Sequence, residues 1–362
     1  MKTPLITKAL PLMLLPVLGT SMIDATHAAP AKKAAVARKP AARQPKLIRE
    51  VLGTEQLQGY EGAPGETFTI GKQMPLNFTL RQAEYSVNRA NIGGNAHFPR
   101  GDEKLLILHY TVQNPQSKAF NYSSNYLTFR AVDSGGVTRN YVGDIARAVT
   151  GEPLRLTLNP GQKVDAYTVI KVAAFGEVPK LIVAHYYETK APIVRYDLRG
   201  KVQKLTAPFA DPADPKGATA RKVIPANTGV FYPVTDNWDA RLDSVTYSTE
   251  PLMKRAPGAD KRYAYAIFTI KNKSLKPARY SSSYFRADLK DADGEKVDYN
   301  QWMLKASRDE QAGGELLPGE EARVRFYYEL PKNVDAKTVL LQYGYDRESR
   351  TYAYDVSKVV NK

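Results

Sequence analysis

Tyr122-Ser-Ser-Asn-Tyr126, followed by Asp133-Ser-Gly-Gly136 and Tyr141, is written a second time as Tyr280-Ser-Ser-Ser-Tyr284, Asp291-Ala-Asp-Gly294 and Tyr299. Each matched pair is 158 residues apart. Self-similarity at one long period is the mark of a duplicated domain, so the fold can be reasoned once and applied twice.

The match extends outward from that stretch. Tyr110-Thr-Val-Gln-Asn114 aligns with Phe268-Thr-Ile-Lys-Asn272, and Pro160 and Gly161 align with Pro318 and Gly319. Lys180 and Tyr186 align with Lys337 and Tyr343 at an offset of 157, which takes one residue out of the second copy after Gly319. Tyr196-Asp197 and Tyr354-Asp355 restore 158. Matches that fall on apolar runs and on turn residues point to a shared fold.

From residue 66 onward the texture is β. Short runs of Val, Ile, Tyr, Phe and Thr are separated by Gly, Pro, Asn and Asp, and no apolar period of a helix is sustained. Strands are predicted at 76–87, 104–112, 127–132, 166–172, 180–188 and 193–198. Their second-copy counterparts are 241–247, 263–270, 285–289, 322–330, 338–345 and 351–356. Alternation places Leu106, Leu108, Tyr110 and Val112 on one buried face, with Ala264, Ala266, Phe268 and Ile270 as their equivalents. The opposite face is also fairly apolar, as expected of a central strand. Ile182, Ala184 and Tyr186 are read as core, with His185 facing outward. An excess of Tyr (23, against 2 Trp) suits pleated surfaces where a ring packs and its hydroxyl stays wet.

A chain of 362 residues holds two ordinary domains. The expected organisation is a secretory signal at 1–28, a basic disordered tail at 29–65, a first sandwich at 66–204, a Pro-rich linker at 205–227 and a second sandwich at 228–362. Lys2 and Lys8 precede a short apolar run, and Thr26-His-Ala28 offers small residues for cleavage. The mature protein is therefore expected in the periplasm or outside the cell. The absence of cysteine excludes disulfides, thiolate metal ligands, a cysteine nucleophile and a lipidated cysteine. The net charge is +15, and about half of it lies in the tail, where Lys32, Lys33, Arg38, Lys39, Arg43, Lys46 and Arg49 stand without an acid. Proline and like charge keep such a segment extended. It is either a spacer or a tether to an anionic surface.

A strand ending in Thr-Val-x-Asn, then Tyr-Ser-Ser, an Asp-x-x-Gly turn and a Pro-Gly before a late strand resembles the bacterial secreted telokin-like domain family. The resemblance covers roughly residues 70–204 and 230–360. It implies an all-β fold of two tandem immunoglobulin-like antiparallel sandwiches and an extracytoplasmic role in binding. It implies no catalytic residue.

The remaining chemistry is sparse. Asp291-Ala-Asp293-Gly294 lacks the further ligands of a calcium loop and reads as a hairpin turn. His97, His109 and His185 do not recur in the second copy. If the strands of His109 and His185 were neighbours, the two would meet on an outer face and support a metal-dependent enzyme or envelope hydrolase. No nucleophile elbow, zinc-protease helix or phosphate loop is present. The basic pI of 9.6 arises without a nucleic-acid module, so no specific nucleic acid is expected. Tyr122 and Tyr126, and Tyr280 and Tyr284, have even spacing that puts each pair on one face of a strand. They are the expected ligand-binding residues, suited to a sugar ring or a peptide edge. The expectation is an exported, non-catalytic binding or scaffold protein, without cofactor or metal, whose partner is an envelope protein or polysaccharide. The alternatives are a carbohydrate-binding module protein and the envelope enzyme.

Overall fold

The computed structural model describes residues 62–361, apart from 189, 192, 298–301, 345–348 and 359. The expected signal, the tail through residue 61 and Tyr299 lie outside the described residues.

Among the described residues the fold is all β and almost wholly antiparallel. The sequence-predicted strands are present within a few residues. Glu103–Gln113 pairs with Leu76–Ser86 on one side and Lys163–Ala173 on the other. A second sheet orders Ile193–Asp197, Lys180–His185, Leu127–Val132 and Thr138–Asn140. The two sheets bury one core between them, with Phe78, Leu108 and Tyr110 from one facing Phe129, Val183 and Tyr196 from the other.

The pairing order then recurs. Lys261–Asn272 lies between Trp238–Ser248 and Glu321–Pro331, and Phe285–Asp291, Ala336–Tyr343 and Thr351–Asp355 form the facing sheet. Even the irregularities repeat. Each first long strand carries a bulge, between Leu80 and Gln82 and between Leu242 and Ser244. Each copy sets a cation over a tyrosine ring, Lys104 on Tyr85 at 4.4 Å and Arg262 on Tyr247 at 3.6 Å. The hydroxyls of those tyrosines accept from the Val178 and Ala336 amides.

Three expectations are corrected. In the late strand Leu181 pairs with Tyr196 and Ala131, just as Val339 pairs with Tyr354 and Leu289, so the offset stays at 158 and no residue is lost. Since side chains alternate, that slip of one residue inverts the faces. Leu181, Val183 and His185 are buried, Ile182 is only partly so and Tyr186 is exposed, while Ala184 is buried as expected. The expected tail boundary also moves, because Gly62 pairs with Tyr196 and so belongs to the first sandwich.

The expected linker at 205–227 is no free spacer. Leu205, Ala218 and Ala220 bury in the first core, while Val223–Ala226 joins the second sandwich in parallel with Thr351–Asp355. Phe209 packs on both cores. Small apolar residues between the prolines make this packing possible. Two buried arginines add to the junction. Arg350 donates to the carbonyls of Arg221, Arg100 and Glu103, and Arg89 donates to the Thr235 and Trp238 carbonyls and to the Asp239 carboxylate.

Candidate functional site

The motif that opens each repeat builds a cleft, and Asn114 and Asn272 show how. Both are fully buried. The Asn114 side-chain amide donates to the carbonyls of Lys118 and Leu158, and Asn272 does the same to Lys276 and Leu316. Each Oδ1 accepts an amide two residues on. The asparagine thereby ties the end of the central strand to a short antiparallel strand pair. In the first copy that pair is Phe120–Tyr122 with Leu156–Leu158, and in the second it is Ala278–Tyr280 with Gly314–Leu316.

A tight turn follows the first strand of each pair. The Tyr126 amide donates to the Ser123 carbonyl and the Tyr284 amide to that of Ser281. Beside the first turn lies a cleft of about 440 Å³ lined by Asn121, Ser123, Ser124, Asn125, Arg155 and Thr157. Beside the second lies one of about 610 Å³ lined by Arg279, Tyr280, Ser281, Tyr284 and Gln311. Each lining holds one arginine with hydroxyls and amides, and neither contains an Asp, Glu or His. A further cleft of about 390 Å³ is lined by Asn91, Asn95, Asp236 and Lys273 among others.

The four tyrosines divide between core and surface. Tyr122 lines the first cleft but its side chain is fully buried, its hydroxyl 3.4 Å from that of Tyr110, and burial pushes its phenol well up from the ordinary value. Tyr126 is half-buried against Phe120, Tyr122 and His185. Tyr280 is half-buried against Trp238. Tyr284 is 37% exposed and stacks on Tyr343. The expectation that each pair shares one strand face fails, because the serine turn separates them.

The histidines stand apart. His109 lies in one sheet, 3.1 Å from Glu84 and stacked on Tyr167, while His185 lies in the other. They cannot form the outer-face pair the sequence raised. His185 is buried under Tyr126, and its Nδ1 accepts the amides of Tyr187 and Glu188. Burial lowers its pKa, with Glu188 pulling the other way. Among the described residues no three His, Asp or Glu side chains converge as metal ligands would. Asp133 spends its carboxylate on the amides of Gly135 and Val137 and on Arg139, and Asp291 spends its own on Asp293 and Glu295. Both are turn-makers, and Gly136 and Gly294 supply the positive φ the turns require.

Two features had no sequence signal. The first is a carboxylate clamp, in which Glu188 accepts the amides of Lys72, Gln73 and Met74 at 2.7, 3.2 and 2.9 Å. The second is the exposed Tyr186–Tyr187 pair, with ring centroids 4.9 Å apart.

Residues 242–350, the greater part of the second sandwich, match a family described as a domain of unknown function (DUF4352). No curated protein matches the chain. Several solved structures are similar. An uncharacterized β-sandwich protein from Clostridium difficile 630 is 18% identical over 37% of this chain and 95% of its own, with a TM-score of 0.28. A secreted protein from Mycobacterium tuberculosis is 16% identical over 38% and 98%, with a TM-score of 0.26. A putative lipoprotein from Bacillus subtilis is 15% identical over 35% and 39%, with a TM-score of 0.25.

Proposed function

We propose that this is an exported, non-catalytic binding protein of the bacterial envelope, and that its two repeats, of the secreted telokin-like kind, use the clefts beside the Tyr-Ser-Ser turns. The observation that carries the reading is the recurrence of a polar cleft at the same place, on the same strand pair and the same buried asparagine, in both copies, although its arginine comes from a different repeat position in each, Arg155 opposite Gly313 and Arg279 opposite Asn121. A duplicated scaffold preserves what both copies use, and here that is a polar groove rather than a reactive group. The chemistry of the linings favours binding over turnover. Glycoside hydrolysis needs two carboxylates at a set separation, and acyl transfer needs a nucleophile with an adjacent base. The groove residues are hydroxyls, amides and an arginine, which hydrogen-bond a neutral or weakly anionic ligand.

The apolar leader with its two lysines supports export, and the basic tail supplies long-range attraction to anionic envelope polymer or headgroups. Co-sedimentation of residues 29–362, and of a form beginning at Glu50, with insoluble envelope material across a salt series tests the division of labour. Binding by both forms that persists at high salt is expected of the clefts. Binding only by the long form and released by salt would assign everything to the tail.

A further inference from the structure

We propose that the first sandwich reads the pyranose rings of a glycan through the exposed pair Tyr186 and Tyr187, beside its cleft. This rests on the reading of the clefts as binding surfaces and adds to it the class of ligand and the copy responsible.

The two rings are 54% and 57% exposed and stand nearly perpendicular, at 83°. Large aromatic side chains this open, side by side, are unusual unless a partner covers them. Their backbone is pinned from both directions. The Tyr186 amide donates to the Tyr126 carbonyl at 2.9 Å, and the Tyr187 amide donates to buried His185 at 3.2 Å. Glu188, the next residue, is held by the three-amide clamp. Rings presented on a fixed backbone lose little freedom on binding, which is the economy that makes tyrosine a good contact residue.

The pair is tied to the cleft through the backbone. The carbonyl that anchors Tyr186 belongs to Tyr126, next to Asn125 in the cleft lining, and the Tyr141 hydroxyl donates to the Ser124 carbonyl of the same lining. The chemistry of the combined surface selects the ligand. A sugar ring has an apolar C–H face that packs on tyrosine and a rim of hydroxyls that pairs with amides and hydroxyls such as Asn121, Asn125 and Thr157. A cationic ligand would require carboxylates that the lining lacks, and a phosphate backbone would require more than Arg155.

The second sandwich keeps only part of this feature in its sequence, because Tyr345 stands at the position of Tyr187 and lies outside the described residues. Gly344 occupies the position of Tyr186 and donates its amide to the Tyr284 carbonyl at 2.8 Å, in the same geometry and without a ring. The copies therefore share a groove, and only the first carries Tyr186 beside it.

The test is affinity electrophoresis in acidic native gels containing hydroxyethylcellulose, laminarin or glycol chitin. The protein should be retarded by at least one polymer. Tyr186→Ala and Tyr187→Ala should each weaken that affinity by about three- to tenfold, with unchanged circular dichroism, and Phe175→Ala, which removes an exposed ring away from the clefts, should leave it intact. No retardation by any of the three polymers overturns the inference, as does full retardation of the Tyr186→Ala/Tyr187→Ala double variant. If Asn125→Ala/Arg155→Ala abolishes retardation while the tyrosine double variant keeps it, the cleft stands as a binding site and the ring platform falls. The same division applies if envelope binding survives with no polysaccharide retardation at all.

Discussion

Arg350 is the sharpest test of how the two sandwiches are joined. Its side chain is buried, at 2% exposure for the residue, and its guanidinium donates to three carbonyls, one at Arg221 in the connecting segment and two at Arg100 and Glu103 in the first sandwich. Burial lowers its pKa, with Tyr352 and Asp102 opposing, but a guanidinium stays charged at neutral pH. Hydrogen bonds from a charged donor contribute about 1.5–3 kcal/mol each. Against them stands the cost of holding a cation out of water, several kcal/mol. Arg350→Ala removes both, and it also leaves three carbonyls short of a donor. A net loss of about 2–4 kcal/mol follows. In a cooperative unit of this size that lowers the melting temperature by about 3–6 °C. Scanning calorimetry should show a single transition for the natural protein and a lowered or split transition for the variant. An unchanged midpoint and an unchanged single peak would refute the claim that this arginine couples the sandwiches.

Other consequences follow from single residues. Tyr122→Phe should leave envelope binding and stability nearly unchanged, whereas Tyr122→Ala should cost about 3–5 kcal/mol by emptying a core site; urea titration separates the two. Tyr85→Phe and Tyr247→Phe each strand one amide, of Val178 or Ala336, and should each cost about 1–2 kcal/mol by the same assay. Glu188 sets an acid limb. Burial pushes its carboxyl up, but the three amides outweigh it and hold the pKa below the ordinary value. A group depressed in the folded state contributes stability that is complete above the ordinary carboxylate range and is lost as the pH falls through the folded pKa. The denaturation midpoint of Glu188→Gln should therefore vary less with pH on the acid side than that of the natural protein.

The strands were legible because two copies constrained one another. Alternation along Leu106–Val112 and along Ala264–Ile270 agrees, and all eight inward positions are buried. The same comparison misled where it rested on a single letter. Tyr186 and Tyr343 are both tyrosines, and aligning them shifted a whole strand by one residue, exchanging His185 with Tyr186 between core and surface. Even spacing misled at Tyr122 and Tyr126, because a turn of serines breaks the period that spacing assumes. The clefts were half legible. The Tyr-Ser-Ser motif marked the place, but the asparagine that builds it works through carbonyls 4 and 44 residues away, which carry no side-chain signature. Arg350 and Arg89 likewise answer to backbone acceptors across the junction, so no pattern in the sequence announces them.

The central claim, that the clefts hold envelope material, is tested most directly by one comparison. Co-sedimentation with insoluble envelope at high salt should be measured for the natural protein and for a variant carrying Asn125→Ala, Arg155→Ala, Arg279→Ala and Gln311→Ala. All four positions line the clefts and all four are exposed, so the fold should survive, as circular dichroism will show. The account predicts that the natural protein pellets and the variant stays in solution. Equal pelleting of the two proteins would contradict it.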